Sequence, residues 1–209
     1  MIRNLWITDA EYNGLEPDRI HVLSVIKPDG SGLRSTFDYE DIKRFLSSEN
    51  NVIIGQNFIR FDSYWLEKIL SIKIKAKMID LLAISWALYQ KRAAHSVESW
   101  GEDLGFPKVS VTDWDNLTPE QYGERCEGDI EIQRRMWNEF WKLLVDLYGT
   151  DTDKIWEYLE YLSMKMYFAR LKEESGWDVD LDFLKDAVDK LQEEQGHVNA
   201  AAEHICSKL

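Results

Sequence analysis

The sequence predicts an α/β domain, a mixed β-sheet with helices on its faces, followed by a C-terminal helical extension. Three observations predict it. Short apolar runs rich in branched and aromatic residues crowd the first forty positions and recur at 51–55. Beyond residue 38, segments with helical spacing alternate with such runs. From about residue 118 onward the pattern is almost wholly helical.

Composition narrows the class. The chain has 209 residues, enough for one well-buried domain with an appendage. Hydrophobic residues make up 44% and charged residues 30%, as in ordinary soluble proteins. No apolar run approaches the ~20 residues needed to cross a bilayer, so no membrane partner is expected. The N-terminus lacks the basic segment, apolar stretch and cleavage site of a secretory signal. Cys126 and Cys206 share no metal-ligand spacing, which fits a reducing, cytoplasmic compartment. The net charge of −13 argues against broad duplex binding, which rests on many Lys/Arg–phosphate contacts. It leaves open a short single strand held at a metal site, where the ion supplies the positive charge.

The elements follow in order. Leu5-Trp6-Ile7 reads as a buried strand that runs into Asp9 and Glu11. Strand alternation puts these two acids on one side of the backbone, where they repel unless a cation lies between them. A hard divalent cation takes oxygen ligands and meets that need. The spacing alone is unspecific, because Asp and Glu fill 38 positions and Asp129-Ile130-Glu131 repeats it. Ile20–Ile26 and Leu33–Phe37 read as the next strands of an antiparallel meander, separated by the turn Lys27-Pro28-Asp29-Gly30. His21, inside an apolar run, reads as a packed histidine. Tyr39–Leu46 fits a helix capped by Asp38, and Asn51–Gly55 a buried strand.

Ser63–Leu70 has helical spacing, which puts Asp62 in the first turn of a helix, where an acid also complements the macrodipole. Ile72–Met78 alternates apolar residues with Lys and is expected to be a strand or extended segment whose lysines discourage edge pairing. Ile79-Asp80-Leu81-Leu82 leads into a helix through Tyr89. Ser96 caps Val97–Leu104, which Gly105 stops. Phe106–Leu117 is irregular. Thr118-Pro119 starts a helix to about Tyr148, with a break expected at Gly123 or Gly128. Helices over about 152–174 and from Leu181 onward complete the chain.

Four acids now stand in order: Asp9, Glu11, Asp62 and Asp129. The stretch Asp9-Ala10-Glu11-Tyr12-Asn13-Gly14-Leu15 is similar to a D-x-E-x-x-x-L motif. Gln56-Asn57-Phe58-Ile59-Arg60-Phe61-Asp62 is similar to an N…F/Y-D motif, and Arg125-Cys126-Glu127-Gly128-Asp129 to Y-x-x-x-D. Together they resemble the DEDD 3′–5′ exonuclease superfamily. Met78–Leu82 and His95–Gly101 resemble the segments between these motifs in the proofreading domain of bacteriophage family A DNA polymerases. The resemblance covers residues 1–148. Residues 149–209 resemble the helices joining that exonuclease domain to the polymerase, through Glu173-Glu174-Ser175-Gly176-Trp177-Asp178-Val179-Asp180. No palm or fingers segment follows, which implies a fragment of a polymerase or a separately encoded subunit, in the host cytoplasm if phage-encoded.

The resemblance implies a ribonuclease H-like fold and two divalent ions, Mg²⁺ or Mn²⁺. It implies that Asp9, Glu11 and Asp129 ligate the ion holding the attacking water. Asp9, and Asp62 through water, would hold the second. Two ions ~3.5–4 Å apart can activate a water and stabilise a leaving oxygen. Leu15 would wedge between the terminal bases, Asn57 and Phe61 would seat the terminal nucleotides, and Tyr12 and Asn13 lie where the 3′ end approaches. One position departs from the pattern. Where the family has a water-orienting Tyr, this chain has Arg125, and the alternative His position holds Glu124. Arg accepts no hydrogen bond, so it is expected to pair with an acid or grip the phosphate, and cleavage is expected to be weakened. Tyr122, two helical turns before Asp129, is an alternative donor.

Three functions are therefore expected in rank order. The first is a proofreading-type 3′–5′ exonuclease acting on single-stranded DNA 3′ ends. The second is an exonuclease-like module that binds DNA ends or a DNA polymerase domain or subunit without cutting. The third is a stand-alone DEDD ribonuclease. The aromatics Trp156, Tyr158, Tyr161, Tyr167 and Phe168 are expected to pack on the first domain, with a polymerase interface as the alternative.

Overall fold

The sheet is organised around a central strand, β1 (Asn4–Tyr12), in a computed structural model that describes residues 4–111, 117–176 and 178–206. Part of the irregular stretch, 112–116, and Trp177 of the junction-like segment lie outside the described residues. On one side β1 pairs antiparallel with β2 (Ile20–Ile26), which pairs antiparallel with β3 (Arg34–Thr36). Helix α1 (Tyr39–Leu46) follows, capped as expected by Asp38, which accepts from the Glu40 and Asp41 amides. On its other side β1 pairs in parallel with β4 (Asn51–Gly55). After α2 (Asp62–Leu70), β5 (Lys77–Asp80) pairs in parallel with β4. The strand order is β3-β2-β1-β4-β5, the mixed sheet of a ribonuclease H-like α/β fold.

Strand alternation sorts the core onto two faces. Ile53 of β4 joins Leu23, Val25, Ile42, Leu46 and Leu66, the layer under α1 and α2. Val52 and Ile54 point the other way, into a layer completed by later helices. These are α3 (Leu81–Leu88), α4 (Val97–Asp103), α5 (Pro119–Tyr148) and α6 (Thr152–Ser175). Trp100 donates to Ser85 Oγ at 2.9 Å, and Ser85 Oγ is 2.6 Å from His95 Nδ1, which ties α3 to the segment before α4. Gly55 at the end of β4 has no room for a side chain. A Cβ there would lie 2.8 Å from the Thr8 carbonyl and 2.9 Å from Phe58.

Two expectations of local structure have a definite outcome. Of the strand or extended segment expected over Ile72–Met78, only Lys77 and Met78 are strand. The amides of Lys75 and Ala76 both turn to the Leu46 carbonyl, so no ladder forms there. The lysines face carboxylates instead, Lys73 to Glu67 and Lys77 to Glu160. The expected break at Gly123 or Gly128 is absent, and α5 is one continuous helix of 30 residues. Its start matches expectation, with Thr118 and Gln121 forming a capping box and Pro119 at the first position.

The chain divides into two compact units, Met1–Lys172 and Glu173–Leu209. The expected junction at 148/149 falls at the turn between α5 and α6, inside the first unit. The α6 residues Ile155, Trp156, Leu159, Leu162 and Met166 are buried in the main core, with Tyr158 packed against it. Arg170, also buried, donates to Ser63 Oγ and Glu67 Oε2 of α2, each at 2.7 Å. Tyr161, Tyr167 and Phe168 are exposed. The second unit contains α7 (Leu181–Cys206), an acidic amphipathic helix. Among the described residues, no helix is long and apolar enough to cross a membrane.

Candidate active site

Alternation along β1 turns Asp9 and Glu11 to the same face, and α5 lies across β1 and β2 on that face. Asp129, three turns into α5, meets them there. One carboxylate oxygen from each of Asp9, Glu11 and Asp129 lies within 4.8 Å of the others. Asp62 opens α2 and is buried. It is outside that group of three, but burial and then the Asp9 charge raise its carboxyl. The Tyr12 hydroxyl donates to the Asp62 backbone carbonyl at 3.4 Å.

Gathering acids away from water makes each harder to ionise. Burial, then the charges of Asp129 and Glu11, push the Asp9 carboxyl up to about 8. Burial is also the first cause raising Glu11, Asp129 and Asp62. Two cations offset part of this. Arg125 Nε donates to Glu11 Oε1 at 2.7 Å, with side chains 11% and 12% exposed, and its Nη2 lies 4.0 Å from Asp129 Oδ2. Lys108 Nζ is 2.6 Å from Asp129 Oδ2. Arg125 also reaches the Val109 carbonyl at 3.4 Å, which anchors the loop carrying Lys108. That loop lies close on α5, since a Cβ at Gly128 would sit 3.3 Å from Val109 Cγ2.

Four residues of the site were not singled out for it in the sequence. Gln133 donates to Asp9 Oδ1 at 2.8 Å, and its Oε1 accepts from the Gln56 amide at 3.0 Å. It stands four residues after Asp129 on a helix, and that spacing was its available signal. Cys126, one position after Arg125, turns its buried thiol to the Asp9 carbonyl at 3.4 Å. Asp80 caps α3 and accepts from the amides of Asn57, Ile59 and Leu82 at 3.0–3.2 Å. It thereby pins the turn that delivers Asp62. Burial lifts its carboxyl to about 6 even against these amides. Lys108 lies in irregular sequence, which carries no positional signal.

The residues expected near a 3′ end divide. Leu15 is 85% exposed and lines a cleft of about 730 Å³ with Glu11, Tyr12, Phe61 and Tyr122. Tyr12 and Phe61 meet edge to face at 5.6 Å. The Asn13 side chain turns away, its Nδ2 on Asp18 Oδ1 at 2.7 Å and its Oδ1 accepting from the Asp18 and Arg19 amides. It closes its own loop. Asn57 adopts a left-handed backbone with φ 56°. It lines a second cleft of about 750 Å³ together with Trp86, His95, Lys108 and Arg125. The Arg125–Glu11 pair thus stands between the two clefts, with Arg125 lining one and Glu11 the other.

No protein-family model and no curated protein matches the chain. Solved structures do. A structure described as the apo form of a nuclease superposes with TM-score 0.62 at 16% identity, covering 85% of this chain and 88% of that one. NrnC of Brucella melitensis with bound Mg²⁺ gives 0.59 at 16% identity, over 85% and 90% of the two chains. The same protein bound to pGG gives 0.57 at 16%, over 86% and 89%. The chain therefore shares the fold of these nucleases. Within that fold the three acids of β1 and α5 lie on one face of the sheet, beside both clefts.

Proposed function

We propose that the chain is a metal-dependent 3′–5′ exonuclease of the proofreading type, removing nucleotides from single-stranded DNA 3′ ends. The observation that carries this reading is the convergence of Asp9, Glu11 and Asp129 within 4.8 Å, with Asp62 beside Asp9. The donor set fits Mg²⁺ or Mn²⁺, being all hard carboxylate oxygen. Asp129 Oδ1 fits too, as a buried atom with no hydrogen-bond partner among the described residues. Asp9, Glu11 and Asp129 would hold one ion, and Asp9 and Asp62 a second. Bound there, the ions supply an activated water and stabilise the leaving 3′ oxygen.

The chain's own groups supply the rest. Gln133 fixes Asp9 through Oδ1, while the Cys126 thiol meets Oδ2 at 3.9 Å. Tyr12 and Phe61 line the way from the Leu15 cleft to the acids and would seat the terminal nucleotide. Asn57 lines the other cleft and would touch the strand from there. Asn13 would act through the shape of its loop, since its side chain is spent within it. Arg125 holds Glu11 and accepts no proton, so it orients no attacking water as a Tyr would.

That last observation favours a second reading, an exonuclease-like module that binds ends without fast cutting. A time course on 5′-labelled single-stranded DNA with Mg²⁺ or Mn²⁺ separates the two. A ladder that shortens from the 3′ end and vanishes in Asp9→Ala supports the enzyme. Strand binding with no ladder supports the module. A parallel oligoribonucleotide tests preference for DNA over RNA, and pull-down with a polymerase chain tests the proofreading partnership.

A further inference from the structure

Strand β2 holds a residue too many. Glu11 of β1 faces Val22, but Tyr12 faces Ile20, so the register skips His21. This is a β-bulge, a device that re-aims one side chain, often beside an active site. Its effect is visible in the core. Ile20 packs with Leu23 and Val25 on one side of the sheet, whereas Val22 packs with Tyr122 and Cys126 on the other. Strict alternation would have put Ile20 and Val22 together.

The extra residue turns into the Leu15 cleft. There the His21 ring lies flat on Tyr122 of α5, centroids 3.9 Å apart and planes 12° from parallel. Tyr122 is buried, and His21 stays partly open. Tyr12 and Phe61 line the same cleft, and Glu11 joins it to the acid cluster. Its volume of about 730 Å³ falls in the range of small-molecule sites. Burial and the neighbouring Arg19 lower the His21 pKa, so the ring is neutral near pH 7.

We propose that His21, backed by Tyr122, is a stacking platform for a nucleobase of the strand whose 3′ end lies at the acids. The assignment rests on the nuclease reading above and deepens it. Two rings already stacked and held by two rigid elements offer a third flat ring a preorganised surface. Stacking is indifferent to base identity, as removal of any terminal nucleotide requires.

The test is fluorescence anisotropy of a 5′-labelled oligodeoxynucleotide with Ca²⁺, on the full chain. His21→Ala is expected to weaken binding about tenfold, the usual loss for one base–aromatic stack. His21→Phe, which keeps a ring, is expected to bind at least as well as wild type. An abasic residue at one of the last two 3′ positions should erase the difference between wild type and His21→Ala, and that position names the stacked base. Equal binding of the intact strand by wild type and His21→Ala overturns the proposal. So does a loss that persists on both abasic strands, or a His21→Phe variant as weak as His21→Ala. A wild-type chain that binds no strand overturns the nuclease reading, and the platform with it.

Discussion

Replacing Arg125 with Gln isolates the interplay between a built-in cation and an arriving one. The Arg125–Glu11 pair is 2.7 Å long with side chains only 11% and 12% exposed. Removing one partner of such a pair typically costs about 3–5 kcal/mol, because the other charge is left stranded. Here Glu11 is already raised by burial and recovers part of that cost by taking a proton. A loss of about 2–3 kcal/mol in EDTA is expected, or about 5–10 °C in Tm for a chain of this size. With saturating Mn²⁺ the stranded carboxylate gains a new partner, and the loss should shrink to under about 1 kcal/mol. Closing the cycle then requires tighter Mn²⁺ binding by about 2 kcal/mol, roughly thirtyfold. Thermal unfolding of both proteins in EDTA and in Mn²⁺, with calorimetric titration of the ion, reads both numbers. Equal destabilisation with and without Mn²⁺, or weaker Mn²⁺ binding by the variant, would refute the reasoning.

Three other outcomes follow from the same geometry. Under the proposed function, Arg125→Tyr should raise the cleavage rate by supplying a hydroxyl where the Y-x-x-x-D motif that this stretch resembles has one; single-turnover kinetics showing an equal or lower rate contradict that. The Asp9 carboxyl sits near 8 in the metal-free fold against 3.8 unfolded, so the fold binds the extra proton and metal-free stability falls as pH rises from about 4 to 8. A metal must displace that proton, so Mn²⁺ affinity should climb by up to about tenfold per pH unit from 6 to 8 and level off above, with proton release seen as buffer-dependent titration heat. Asp80→Ala strands the amides of Asn57, Ile59 and Leu82 and should cost about 3 kcal/mol in urea unfolding while weakening Mn²⁺ binding; unchanged stability would show that water replaces the carboxylate.

What the sequence disclosed follows how far each signal reaches along the chain. Asp38, Ser96 and Thr118 cap their helices as expected, because capping is settled within three or four residues. The mixed sheet was legible from alternating apolar runs. Asp9, Glu11 and Asp129 come together in space, and nothing local to β1 or α5 alone could have said so. Ile72–Lys75 misleads because strand-like alternation also suits a segment whose Ile72 and Ile74 pack inward while its amides bond Leu46. Lys108 and the His21 bulge stayed invisible for a common reason. A loop lysine meets Asp129 only through the close approach at Gly128, and a bulge is a property of two strands in register.

The length of α5 has a mechanical consequence. Between Tyr122 and Gln133 it spans roughly 17 Å without a break and carries, in order, Tyr122, Arg125, Cys126, Asp129 and Gln133. The same rod continues into Trp137, which stacks at a tilt on Trp141 and Trp156. A helix of this kind transmits displacement like a piston, since it cannot shorten in the middle. Trp156, on a different helix and remote in sequence from every acid, packs against the same rod that carries these five groups. The indole cluster thus ties α6 to the helix that carries the candidate site.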